Sequence, residues 1–284
     1  MIISSRPLSA PRTSTASSSA SNSATRTPTG ASSVSSFEAR APAKTKTPPT
    51  KTPPTKTPPA PQGPVETPTP EPTPSTGSDP RYDGLKDQAL INALHDAVSK
   101  HKDLGYNQAR KIIFTTLDNH DGIVKCVYTG KETKTNKIPS SNVMNTEHTW
   151  PQSKGATGAA KADLHHLFPT DSKANSVRGN YPFGTVKNVK WEENGAKFGT
   201  DEKGRTVFEP PDSHKGNVAR ALFYFSTVYN KHIPADDEAV LKQWNKLDKV
   251  DAAEVQRNDA IETYQQNRNP FVDDPTLADR IADF

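Results

Sequence analysis

Two neighbouring stretches decide how this chain is read: "NTEHTWPQSKG", residues 145–155, and "DLHHLFPTDSKANSVRGNYPFG", residues 163–184. "NVMNTEHTW" has the short, bounded form of a strand running into a turn at Pro151. "ADLHHLF" predicts a second short strand, stopped by Pro169. "TDSKANSVRG" predicts a short helix, with Thr170 or Asp171 as N-cap and Gly179 as its stop. Glu147 and His148 are neighbours, so a regular strand points them to opposite faces. A site that uses both requires the strand to end or bend there, and Pro151 offers the means.

Helical periodicity brackets this segment. "LKDQALINALHDAVSK" places Leu90, Leu94, Ala97 and Val98 on one helical face, and "YNQARKIIFTTLDNH" aligns Ala109, Ile113 and Leu117. "IVKCVYTG" predicts a strand followed by a polar loop to Asn142, with Cys126 as a packed small hydrophobe. "AKFGTDEKGRTVFEP" suggests a hairpin with a Lys-Gly turn. "GNVARALFYFSTVYN" is the clearest amphipathic helix, through Val218, Leu222, Phe225 and Tyr229. Two or three further helices precede "NRNPFVDDP". Helices around a small central group of strands make an α+β pattern.

Composition divides the chain. Seventeen of the 26 prolines lie before residue 83, and residues 1–80 are dominated by Ser, Thr, Pro and Ala. Such a segment buries too little apolar surface to offset the entropy of ordering, so it is expected to be a disordered tail. Its three "KTPPT/A" repeats favour extended polyproline II, as in a semi-rigid spacer. Residues 81–284 are enough for one folded domain.

Charge follows the same division. Residues 1–82 hold 9 basic and 4 acidic side chains, the remainder 27 and 28, so the net +4 belongs to the tail. A polyanion site in the folded part must be a local patch. One cysteine excludes an intramolecular disulfide. The N-terminus lacks the apolar stretch of a cleavable signal, and no segment reaches the length of a membrane span.

Glu147 offers a carboxylate and Asn175 an amide oxygen, the donors a hard divalent cation such as Mg²⁺ takes. A histidine such as His148 can take a proton from water attacking phosphorus. Arg178, one turn after Asn175 on the same helical face, could hold the phosphate. A rival is a zinc site from Asp163, His165 and His166, which adjacent strand positions disfavour. Taken alone, "EH" also fits a hydrogen-bonded structural histidine.

Four segments in order, "NTEHTWPQS", "DLHHLFPTDSKANSVRGNYPFG", "FEPPDSHKGNVARALFYFSTVYN" and "RNPFVDDP", resemble the bacterial endonuclease I family. The resemblance runs from about Tyr82 to the C-terminus and excludes the tail. It implies a ββα-metal (His-Me finger) core. It also implies non-specific, Mg²⁺-dependent cleavage of DNA and RNA to 5′-phosphate and 3′-hydroxyl ends, with Mn²⁺ or Ca²⁺ able to substitute for Mg²⁺. By the same resemblance Glu147 and Asn175 are metal ligands and His148 is the general base. Arg178 and Asn180 match an "RxN" pattern, and Asp163, His165 and His166 are supporting residues. Arg220 either touches phosphate or forms a structural ion pair. "RNPFVDDP" packs on the core, although its Arg268 could touch DNA.

The resemblance further implies a monomer without membrane association, and a secreted or periplasmic location. Three departures stand out. Some members of the family carry disulfides, which a chain with one cysteine cannot form within itself. Asn217 replaces a common aspartate. Residues 149–177 contain no arginine to contact the transition-state phosphate, only Lys154, Lys161 and Lys173. The competing expectation is a nucleic-acid-binding module that has lost catalysis and acts through its tail.

Overall fold

The computed structural model describes residues 79–284. The expected disordered tail, with its repeats, lies outside the described residues except for Asp79 and Pro80. Asp79 accepts a hydrogen bond from the Arg81 N–H and caps a 3₁₀ turn, Pro80–Tyr82.

Helix α1 (Asp87–Val98) buries Leu90, Leu94 and Val98, while Ala97 faces solvent. Helix α2 (Tyr106–Ile112) widens into a π-helical turn at Ile113–Leu117 and buries Ala109, Ile113 and Leu117 as the periodicity required. The strand expected at "IVKCVYTG" is β2 (Ile123–Lys125). It pairs with β1 (Asn119–His120) and with β3 (Glu132–Lys134), which forms inside the expected polar loop. Cys126 is buried there, its Sγ 3.3 Å from an Asp171 carboxylate oxygen.

Strands β4 (Met144–His148) and β5 (Leu167–Asp171) form a separate antiparallel pair, running from Met144 opposite Asp171 to His148 opposite Leu167. Here two expectations change. Leu164–His166 is a 3₁₀ turn rather than strand, and β5 runs straight through Pro169. The Pro169 carbonyl points away from β4 and accepts from the Val127 N–H at 3.0 Å. The proline nitrogen lies on that same outer edge, so its missing proton removes no β4–β5 bond. The chain then enters α3 (Ser172–Arg178). Asp171 caps it by accepting from the Lys173 and Ala174 N–H groups, and Gly179 ends it at φ +54°.

The expected hairpin is β7 (Ala196–Thr200) with β8 (Thr206–Glu209), extended by β6 (Asn188–Glu193) to three strands. The strands thus form three small antiparallel sheets in place of one central group. Helix α4 (Lys215–Tyr229) is buried on nearly every side, at 13 of its 15 residues, rather than along one stripe. It packs against α1, against α5 (Ala235–Leu247) and against α7 (Pro270–Asp273). Gly216 allows its first turn to approach the end of α5, because a Cβ there would lie 2.0 Å from the Asp248 carbonyl oxygen. Helix α6 (Ala252–Gln265) completes an α+β fold, and the site strands β4 and β5 sit between α2, α3 and this cluster of helices.

Candidate active site

The β4 register carries Glu147 and His148 away on opposite sides, as a regular strand must. The strand ends at His148, but the chain does not fold back there to bring the two side chains onto shared partners.

On one side, Glu147 is 2% exposed and faces the fully buried Arg178, with Nε 3.0 Å from Oε1. Neither atom completes a hydrogen bond, so the pair is close but poorly aligned. The rest of the guanidinium is committed. It donates to the Thr149 carbonyl at 3.0 Å and the Tyr181 carbonyl at 2.6 Å, and lies 4.2 Å over the Phe183 ring. Burial pushes the Glu147 carboxyl above its ordinary range, and Arg178 pulls it back only in part. Asn175 stands on α3 above this side. Its amide N–H donates to Asn145 Oδ1, two positions before Glu147 on the same strand face. Among the described residues no donor reaches Asn175 Oδ1.

On the other side, His148 Nε2 lies 3.2 Å from the Lys161 carbonyl oxygen. A carbonyl only accepts, so the proton sits on Nε2 and Nδ1 carries the lone pair. The Gln152 amide approaches that Nδ1 at 3.4 Å. Burial and then the neighbouring His166 lower the His148 pKa to about 3, against the Lys161 carbonyl bond that raises it, so the ring is neutral at ordinary pH. Tyr106 of α2 packs on it at 5.3 Å between ring centres. Two cations approach Tyr106: Lys161 Nζ at 4.7 Å and the Arg110 guanidinium at 5.7 Å from its centroid. Neither forms an ion pair among the described residues, and Arg110 Nε is buried without a partner.

The remaining candidates separate. Asp163 is a buried brace: it accepts from Tyr224 and Tyr229 hydroxyls at 2.8 Å each and from the Gln265 amide at 2.9 Å, and caps the 3₁₀ turn at the His165 N–H. Burial alone would raise its pKa, but the surrounding His165, His101 and His166 and the Gln265 bond hold it near 2. Both histidines of that turn point inward. His165 Nε2 meets the Asn267 carbonyl and His166 Nε2 the Ala160 carbonyl, so they serve no common ion. Among the described residues no group of three or more His, Cys, Asp or Glu is placed to hold a metal, which removes the zinc alternative.

Asn180 is exposed and donates to Ser153. Arg220 is not brought to β4. It is fully buried in a bidentate pair with Glu254, at 2.7 and 2.5 Å, with further bonds to Asn245 and the Asp248 carbonyl. Of its two expected roles the geometry gives it the structural one. Arg268 is likewise committed, to Asp273, Asp259 and Glu262.

A sequence profile of the Endonuclease I family matches residues 87–276. The chain is 34% identical to an extracellular ribonuclease of Bacillus amyloliquefaciens over 236 residues, 74% of this chain and 80% of the relative. The chain belongs to the endonuclease I family. An extracellular ribonuclease of Bacillus subtilis is 33% identical over 73% of this chain and 80% of its own length. An extracellular deoxyribonuclease of Aeromonas hydrophila is 30% identical over 113 residues, 40% of this chain and half of the relative. No helix among the described residues is long and apolar enough to cross a membrane.

The endonuclease I chain also places residues at the site that the motifs did not announce. Asn145 carried a signal, since it precedes Glu147 by two and shares its strand face. Tyr106 and Arg110 carried none, lying about forty residues upstream on another helix. The donor types suit a divalent cation: a buried carboxylate whose Oε1 lies 3.0 Å from Arg178 Nε without a hydrogen bond, and an amide oxygen on α3 that no donor reaches among the described residues.

Proposed function

We propose that this endonuclease I family member is a secreted or periplasmic nuclease that hydrolyses phosphodiester bonds of DNA and RNA with little sequence preference, acting as a monomer. In this reading Glu147 and Asn175 hold one Mg²⁺, for which Mn²⁺ or Ca²⁺ can substitute. When bound, such an ion supplies positive charge against the leaving oxygen.

The chain's own residues do the rest. The Lys161 carbonyl fixes the His148 tautomer, so Nδ1 can accept the proton of a water attacking phosphorus in line. Arg178 keeps Glu147 in place and has too few free N–H groups to grip a phosphate as well. Lys161 and Arg110, gathered on Tyr106 beside His148, take the phosphate-holding part that the missing arginine leaves open. Loss of the 3′ oxygen leaves 5′-phosphate and 3′-hydroxyl ends. A ββα-metal (His-Me finger) core is supported by the β4–β5–α3 order, and weak sequence preference follows from gripping backbone phosphate rather than bases. The names of the relatives, ribonucleases and deoxyribonucleases found outside the cytoplasm, support substrate and location together.

The observation that carries this reading is the fixed His148 tautomer beside an unsaturated cation pair. Plasmid DNA incubated with Mg²⁺ should be degraded, and EDTA should stop it. His148→Ala should lower the rate by about 10²–10⁴-fold with an unchanged circular dichroism spectrum. Full activity in that variant refutes the base assignment. Persistent cleavage in EDTA refutes the metal.

A further inference from the structure

Arg178 is also a wall of a second feature, a cavity of about 420 Å³ that Glu147 does not line. Three aromatic residues line it. Phe183 lies under the guanidinium, and Tyr181, 40% exposed as a residue, follows α3 with its carbonyl held by Arg178 and its ring 5.0 Å from that of Phe198. Trp150 has one face covered by Phe225, with rings 4.9 Å apart and 12° from parallel. The Trp150 indole N–H donates to the Lys154 carbonyl, which fixes the ring in place.

The rim carries two lysines and one carboxylate: Lys154, Lys231 and Asp237 all border the cavity, and Asp237 is paired with Arg205. Lys231 is laid against Gly155, its Nζ 3.3 Å from where a Gly155 Cβ would stand. Neither lysine forms an ion pair among the described residues. Burial and then the Arg178 charge lower the Lys154 pKa, with Asp237 opposing, so positive potential there is incompletely neutralised. Aromatic walls with a cationic mouth complement one kind of occupant: a flat apolar ring system attached to an anion. The cavity is within the size range of small-molecule sites. It shares Thr149 and Arg178 with the surroundings of Glu147.

We propose that this cavity is a nucleotide subsite: it takes one unstacked base of the substrate strand against Trp150 and Tyr181, with the adjoining phosphate between Lys154 and Lys231. A base can enter only when it is free of its pairing partner, so the site selects single-stranded or looped nucleic acid over duplex. The inference rests on the nuclease reading only for its biological sense, and binding can be measured without turnover.

The experiment compares two single-stranded oligonucleotides of equal length, one of thymidylates and one with every base removed. Their affinity for the full chain is read by fluorescence anisotropy in EDTA. Both ligands carry the same phosphates, so only the bases differ. The wild type should bind the thymidylate strand about tenfold more tightly, and Tyr181→Ala should erase most of that difference. Lys231→Met should weaken both ligands by a similar factor. Equal affinity of the wild type for the two ligands overturns the proposal, as does a Tyr181→Ala variant, folded by circular dichroism, that retains the full difference. If that variant does not fold, the wild-type comparison decides. Loss of cleavage in Mg²⁺ together with a retained base preference would count against the nuclease reading and leave the subsite standing.

Discussion

The basic residues of the C-terminal helices and those around the end of β4 live under opposite regimes. Among the helices the arginines are spoken for: Arg220 by Glu254, Arg257 by Asp118, and Arg268 by three carboxylates. Around β4, Arg110, Lys154, Lys161 and Lys231 have no acidic partner among the described residues, and Arg110 Nε has no hydrogen bond at all. A buried or half-buried cation without a counter-charge costs stability unless something else supplies the anion. Among the helices the anion comes from the chain. Near β4 Arg178 has Glu147, but for these four cations the anion is left to a ligand.

The sharpest way to break this contrast is to remove a charge from each regime. Arg220→Leu leaves Glu254 buried without its partner and should cost about 3–5 kcal/mol of stability. The rate per folded molecule should stay within about twofold. Denaturant melts alongside specific activity would show whether Arg220 is structural; a rate loss without a stability loss would return it to the active site.

Next in size is acid. Burial, against the pull of Asp163, lowers the His165 pKa to about 4, and burial with nearby Arg257 and Arg220 lowers that of His214 to about 3. Both rings are therefore neutral when folded and charge more readily when unfolded. The unfolded chain binds the extra protons, so stability is present above about pH 6.5 and is lost as pH falls toward 4 and then 3. At 1.36 kcal/mol per unit, His165 alone accounts for about 3 kcal/mol of that loss. A melting temperature that is flat from pH 7 to pH 4.5 would contradict this.

Smaller is the effect expected at the unpaired cations. Lys161→Met should lower kcat/KM by about 30-fold, about 2 kcal/mol of transition-state stabilisation, with the melting temperature unchanged. A stability loss instead would mean that Lys161 belongs to the structural regime. Smallest is Arg268→Ala. It breaks surface pairs shared among three carboxylates and should cost about 1 kcal/mol or less with no change in rate.

Much of the site was legible because its grammar is local. An N-cap at Thr170 or Asp171 and a stop at Gly179 depend on side chains within a few residues, and the structure selects Asp171 and keeps Gly179. Pro169 misled because a proline ends a strand only where its N–H would face the partner, and that depends on register with Thr146. Arg178 could be placed on the right face of α3 but not given its task, since only the folded structure buries Glu147 and demands a cation beside it. The α4 periodicity marked one face, whereas packing from α1, α5 and α7 covers the rest. Tyr106 and Arg110 reach His148 across tertiary distance, which no local pattern encodes.

The Asp163 brace sets an order of events in the life of each molecule. Residues 147–178 leave the ribosome well before Tyr224, Tyr229 and Gln265, the three side chains that tie Asp163 down. The turn that Asp163 caps, and the Lys161 carbonyl two positions before it, gain their full support only when synthesis has passed Gln265. The candidate site residues from Glu147 to Arg178 are thus synthesised early and braced late, and a translation product cut short before residue 265 would carry the complete motif while lacking the clasp that holds it.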